Sequence, residues 1–276
     1  MGAGAVWAGM PSLGAVPEGG RFKIGACDWS LGKAAHVDAL AVAAEIGLDG
    51  VQVSLGTEAD DMGLRRVERQ KEYLEASRRT GVALASLAIG ELNNVPFKSE
   101  PKTIPWVRDS VAVLGALDLR VVLLAFFHKG DLRGDREGTT ETVRRLREIA
   151  PAAEKAGVVL GIESWLSAEA HMDILDRVGS PAVKVYYDVA NSESMGYDIY
   201  REMRWLGSKG VICEVHMKEN GSLLGRGKVD FKRVRECLDA IGYRGWVQIE
   251  GAVPPGAEMK PSYRENLRFL RETLAG

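Results

Sequence analysis

Four residues in the second half of the chain have types and spacing that suit metal chemistry: Glu163, Asp188, His216 and Glu250. Each closes a short apolar run, in Leu160-Gly-Ile-Glu163, Val185-Tyr-Tyr-Asp188, Glu214-Val-His216 and Val247-Gln-Ile-Glu250. Taken singly, any of them is equally well a charge marking where a strand meets solvent. As a set, three carboxylates and an imidazole at one place repel each other unless a cation compensates them. A shell of oxygen and nitrogen without thiolate suits a hard to borderline divalent ion, manganese first, with Co2+, Mg2+ or Zn2+ as alternatives. Such an ion stabilises the charge left on oxygen when a proton leaves the carbon beside a carbonyl.

These residues need a scaffold that delivers consecutive strand ends to one place. From Phe22 onward one unit recurs: an amphipathic helical stretch, a turn containing Gly or Asp, and a short run rich in Val, Ile and Leu. Counting Phe22 to Cys27 first, and then the runs after Gly47, Gly81, Asp118, Gly157, Ala182, Gly210 and Gly245, there are eight. Continuous apolar runs alternating with helical periods predict βα units around a buried parallel sheet. Helices are expected over Val37 to Ile46, Leu64 to Thr80 and Thr139 to Ala156, with Gly47 and Gly157 ending two of them in the left-handed conformation. Eight units predict an α/β fold of the closed (β/α)8 TIM barrel type in a single domain, rather than an open doubly wound sheet. No G-x-G-x-x-G follows the first strand, and Gly225-Arg226-Gly227 comes after the seventh, so a dinucleotide-binding fold fits poorly. In a barrel the chemistry collects where the strands end, which puts Glu163, Asp188, His216 and Glu250 on one rim.

Other residues near strand ends are candidates for contacting a substrate. Lys218, two residues past His216, points to the same side of its strand, and Arg226 lies on the glycine-rich loop beyond; for both, a solvated loop charge is the competing reading. His128 ends the fourth run, whereas His171 and His36 read as helix residues. Trp29 and Trp165 follow the first and fifth strands, where an aromatic ring can stack on a sugar or simply pack the rim.

The chain's 276 residues, 46% hydrophobic and 27% charged, allow one large core and show no apolar stretch long enough to span a membrane. With Lys+Arg 36 against Asp+Glu 38, the net charge of -2 provides no basic field for nucleic acid. Cys27, Cys213 and Cys237 are scattered and odd in number, which argues against a disulfide framework or a thiolate zinc site. Residues 1–21 read as an apolar tail ahead of a barrel over 22–276. Met1 to Gly20 is uncharged until Glu18, like the hydrophobic part of an export signal but without its basic start. A cytoplasmic location is therefore expected, with an exported protein as the alternative. The same segment could serve as an arm in a homo-oligomer.

The sequence resembles the xylose-isomerase-like barrel superfamily, in the sugar phosphate isomerase/epimerase branch with ketose 3-epimerases, hydroxypyruvate isomerases and inosose dehydratases. The resemblance runs from Ile24 to about Leu274. It is carried by Gly161-Ile-Glu-Ser, Tyr187-Asp-Val-Ala-Asn, Val215-His-Met-Lys-Glu, Leu224-Gly-Arg-Gly-Lys-Val-Asp-Phe and Gln248-Ile-Glu-Gly. It implies that Glu163, Asp188, His216 and Glu250 hold the metal and that Glu163 and Glu250 act as acid and base on opposite faces of a sugar. It also implies that Glu169 hydrogen-bonds substrate hydroxyls. The chain departs from the pattern at Asn191, where the ketose 3-epimerases carry a histidine; asparagine can bond a hydroxyl but cannot titrate near neutrality.

The implied reaction is a proton shift through an enediolate on a small sugar-like substrate. If the intermediate instead expels a neighbouring group, the same site is a dehydratase or lyase, with Lys218, Arg226, His128 or His171 as candidates to protonate the leaving oxygen. A DNA endonuclease of the same superfamily is disfavoured by the 4 histidines and the absent basic field. A non-catalytic sugar-binding barrel would have no need of two opposed glutamates.

Overall fold

The computed structural model describes residues 21–275. The eight apolar runs form parallel strands β1 (Phe22–Cys27), β2 (Gly50–Ser54), β3 (Ala83–Ile89), β4 (Val121–Phe126), β5 (Val159–Ser164), β6 (Val183–Asp188), β7 (Ile212–Glu219) and β8 (Gly245–Gly251). They close into a barrel in sequence order, with β1 meeting β8 in register from Phe22↔Gly245 to Ala26↔Ile249. Between and after them lie α1 (Ala39–Ile46), α2 (Val67–Thr80), α3 (Thr103–Ala116), α4 (Arg136–Ala156), α5 (Ala168–Val178), α6 (Val189–Ser194), α7 (Ile199–Ser208), α8 (Phe231–Ala240) and α9 (Met259–Leu274). This is a single (β/α)8 TIM barrel.

Strand β4 shows why these runs lack an apolar/polar alternation. Val122, Leu124 and Phe126 face the helices, while Val121, Leu123 and Ala125 pack inside the barrel with Val159, Tyr186 and Cys213. Both faces are buried, so both must be apolar. All three cysteines are free and buried, as small apolar side chains.

Gly47 and Gly157, at φ 93° and 66°, end α1 and α4 in the left-handed conformation. Helix starts differ from expectation where side chains intervene. Asp135 accepts from Gly138 N at 2.8 Å and starts α4 three residues early. A 3-10 turn over Gly63–Arg65, followed by extended Arg66 at ψ 132°, shortens α2. His36, expected in a helix, sits in a turn before α1, because buried Asp28 draws the loop inward by accepting from Ala35 N at 3.1 Å and Ser54 N at 2.7 Å.

The expected N-terminal tail lies, apart from Arg21, outside the described residues. Arg21 itself is tied to the barrel by Nε to Tyr243 O and Nη2 to Leu238 O, each 2.7 Å. Among the described residues no helix is long and apolar enough to cross a membrane.

Candidate metal centre

Barrel register decides which strand residues meet. Ala125 pairs with Glu163, Asp188 with His216, and Lys218 with Glu250 across neighbouring strands. Side chains at alternate positions of a strand share a face, so Glu214, His216 and Lys218 form an inward ladder on β7. One donor atom each from Glu163, Asp188, His216 and Glu250 lies within 4.8 Å of the others. His216 is fully buried, and its Nδ1 faces all three acids: Glu163 Oε1 at 2.9 Å, Glu250 Oε2 at 3.3 Å and Asp188 Oδ2 at 3.6 Å.

Asp188 is held in place by the backbone. Its Oδ1 caps α6 by accepting from Ala190 N at 2.9 Å and Asn191 N at 2.8 Å, while buried Oδ2 has no hydrogen-bond partner among the described residues. This buried oxygen has only the longer ion-pair contacts to Lys218 at 3.5 Å and His216 at 3.6 Å, and it faces the cluster. Three carboxylates, Asp188 with its open oxygen among them, and one imidazole nitrogen fit a divalent ion with an oxygen and nitrogen shell.

The two glutamates are electrostatically unlike. Burial raises the Glu163 carboxyl above the usual range, and the neighbouring His216 only partly opposes it. Burial acts on Glu250 in the same direction, but Lys218, and after it His216, hold that carboxyl well below the usual range. Lys218 Nζ is 2.8 Å from Glu250 Oε2 and 3.5 Å from Asp188 Oδ2. Despite the burial penalty, Asp188 and then Glu250 hold the ammonium above the usual lysine range. On the other side, the Trp29 indole donates to Glu250 Oε1 at 2.9 Å.

A cavity of about 390 Å³ opens above this cluster. Glu163 and Glu250 line it, whereas Asp188 and His216 do not. Trp29, His128, Trp165, Asn191 and Lys218, all singled out in the sequence, also line it. His128 has a left-handed backbone at φ 50°, unusual for a residue with a side chain, and its ring meets Trp165 edge-on at 5.5 Å. Trp165 is covered further by Phe127 at 5.0 Å and by the Arg133 guanidinium at 4.8 Å.

Two expected substrate contacts lie elsewhere. Glu169, in the first turn of α5, is exposed and pairs with Arg201 at 3.0 Å rather than lining the cavity. Arg226 is exposed and pairs with Glu265 of α9. Its loop is pinned from below, where Glu219 accepts from Lys228 N at 3.2 Å and Val229 N at 2.9 Å, and a Cβ on Gly227 would meet that carboxylate at 2.1 Å. Lys218, by contrast, is no solvated loop charge, because β7 runs to Glu219 and places it inside the barrel. His171 is buried in α5 against Ser164 Oγ at 2.9 Å, outside the cavity lining.

Sequence reasoning missed the other side of the cavity. Thr57 follows β2, and Glu91 and Asn93 follow β3; all three line the opening. Their signal was position alone, a polar residue just past a strand end. Also missed was a polar layer beneath the acids, Gln52, Ser86, Tyr186, Glu214 and Gln248, all buried inside the barrel.

A family model described as a xylose isomerase-like TIM barrel matches residues 40–273. The chain is 25% identical over 226 residues to a 2-epi-5-epi-valiolone 7-phosphate 2-epimerase of Actinoplanes, spanning 78% of this chain and 82% of that protein. It is 28% identical over 140 residues to a D-psicose 3-epimerase of Enterocloster bolteae, spanning 48% of this chain and 45% of that one. Among solved structures, D-psicose 3-epimerase of Clostridium cellulolyticum H10 with D-tagatose superposes with a TM-score of 0.76 at 19% identity, over 91% of this chain and 99% of that one. The 3-keto-D-glucoside 4-epimerase of E. coli gives 0.74 at 16%, over 91% and 99%. At these identities the structural likeness is one of fold.

Proposed function

The chain belongs to the xylose isomerase-like TIM barrel family, and from that premise we propose that it is a metal-dependent sugar epimerase or isomerase, with Glu163 and Glu250 as its acid and base. The observation that carries this reading is the division of labour among the four clustered residues. Only Glu163 and Glu250 border the cavity, while Asp188 and His216 stay beneath it. Glu163, Asp188, His216 and Glu250 would hold one divalent ion, manganese by preference. Bound there, it would supply Lewis-acid stabilisation of developing oxyanion charge, worth several kcal/mol.

The chain's own groups account for the proton traffic. A carboxylate on one side of a bound ketose takes the proton from the carbon beside the carbonyl, the C–H pair becomes a C=C bond and the carbonyl π pair moves onto oxygen to give an enediolate. The carboxyl group on the other side returns a proton to the opposite face, inverting that carbon. The two glutamates are also braced differently, Glu250 by Lys218 at 2.8 Å and the Trp29 indole at 2.9 Å, and Glu163 by His216 at 2.9 Å. General acid-base catalysis of this kind contributes roughly 10²- to 10⁴-fold. Trp29 orients Glu250, Asn191, His128 and Lys218 offer hydrogen bonds to hydroxyls, and Trp165 gives the cavity an aromatic wall. A volume of about 390 Å³ suits a single sugar unit.

A lyase acting on a keto-sugar or inosose is the second reading. It is favoured by Lys218 and His128, two side chains in the cavity lining that could hydrogen-bond a leaving oxygen. The barrel over residues 22–276 is proposed as the catalytic unit.

The test is incubation of the manganese-loaded protein with ketoses and keto-inositols in D2O. An epimerase incorporates one deuterium at the inverted carbon and otherwise conserves mass, whereas a lyase releases water or a fragment. A protein that binds the sugars without exchange or turnover is a binding barrel, and the enzymatic reading falls.

A further inference from the structure

Beneath the acids, the second ring nitrogen of His216 faces a fully buried amide. His216 Nε2 lies 2.9 Å from Gln52 Oε1, while Nδ1 faces the three carboxylates. We propose that Gln52 is a positioning residue that holds the His216 proton on Nε2, so that Nδ1 keeps its lone pair for the metal. This rests on the metal reading above.

A neutral imidazole carries one proton, and the partner of one nitrogen decides the role of the other. With the Gln52 carbonyl toward Nε2, that nitrogen must donate and Nδ1 is free to ligate. With the amide turned over, its NH2 would face Nε2, the proton would move to Nδ1, and the ligand position would be blocked.

The surroundings choose between these two orientations. Gln52 Nε2 lies 3.0 Å from both Ser86 Oγ and Tyr186 OH. In the same layer Glu214 Oε1 accepts from Gln248 Nε2 at 3.1 Å. Two hydroxyl oxygens stand ready to accept both amide hydrogens, which turns the Gln52 carbonyl toward His216. The Cys27 thiol lies 3.3 Å from both Gln52 Oε1 and His216 Nε2, and with the proton on Nε2 the thiol hydrogen goes to the Gln52 oxygen. Tyr186 also braces the imidazole edge-on, with ring centroids 4.6 Å apart. A chain thus runs from Ser86 on β3 and Tyr186 on β6 through Gln52 on β2 to His216 on β7.

Manganese affinity, read from the free-ion electron paramagnetic resonance signal, tests this on wild type and two variants. Gln52→Met keeps the shape and removes the acceptor, and binding should weaken about 10- to 100-fold. Gln52→Glu keeps an acceptor but carries no donor, and should bind as tightly as wild type or tighter. A Met variant that binds like wild type, or a Glu variant that loses as much as Met, overturns the inference while the metal reading survives. A wild-type protein that binds no manganese overturns both. Should the variants not fold, nitrogen-15 spectra of the wild-type protein loaded with Zn2+ decide. His216 must carry its proton on Nε2 and the metal on Nδ1, and the reverse arrangement overturns the inference.

Discussion

Lys218 Nζ sits 2.8 Å from Glu250 Oε2, on the strand pairing that sets these two residues side by side. The ammonium is also 3.5 Å from Asp188 Oδ2, so one cation touches two of the three clustered acids. Its contact holds Glu250 ionised from within a cavity that both residues line.

Replacing this cation should therefore damage catalysis more than folding. Lys218→Met is expected to lower kcat/KM by roughly 10- to 100-fold with manganese saturating, as loss of a ligand's supporting partner does. Steady-state kinetics against the wild type check this, and unchanged values would remove Lys218 from the machinery.

Trp29 supports Glu250 from the other side, through the indole N–H at 2.9 Å. Trp29→Phe keeps an aromatic ring and deletes the donor. A lost hydrogen bond to a charged acceptor costs about 1.5–3 kcal/mol, so kcat/KM should fall roughly 10- to 150-fold. If only KM changes, the ring contributes contact with substrate and the hydrogen bond to Glu250 does not matter.

His171 should make the fold acid-sensitive. Burial lowers its pKa from 6.5 to about 4, with Ser164 Oγ at 2.9 Å and Ser167 O at 3.1 Å as its ring partners. The folded state keeps this ring neutral while the unfolded chain takes a proton, so the contribution is complete above pH 6.5 and is lost as pH falls toward 4. The loss is on the order of 3 kcal/mol. Denaturant unfolding of wild type and His171→Gln between these pH values should show a shallower slope in the variant, and parallel slopes would assign the acid sensitivity elsewhere.

Chelation should abolish turnover, and added manganese should restore it. Asp188→Asn keeps an oxygen to cap α6 but removes the charge at the orphaned position. It should weaken manganese binding at least roughly 10-fold while costing little stability. Isothermal titration and thermal unfolding measured together separate the two effects.

The legible and illegible parts of this molecule divide by how each is encoded. β1 is legible residue for residue, and Glu163, Asp188, His216 and Glu250 each stand at the end of a run, because parallel strands buried on both faces are continuous apolar stretches and a charge ending one is conspicuous. Gln52, Ser86 and Glu214 were invisible because they lie within strands, where a polar residue normally signals an outward face; here it faces a polar layer inside the barrel. The directions of Arg226 and Glu169 were not legible because they depend on Glu265 and Arg201, partners brought close by the closed ring of helices. Helix starts such as that of α4 slipped because Asp135, not the apolar period, sets them.

The central claim is one divalent ion held jointly by Glu163, Asp188, His216 and Glu250. Diffraction from crystals grown with manganese, recorded on both sides of the manganese absorption edge, tests it directly. One anomalous peak enclosed by those four side chains, with His216 Nδ1 toward it, is the predicted result. A map with no peak there, or with the ion bound to other residues, would contradict it.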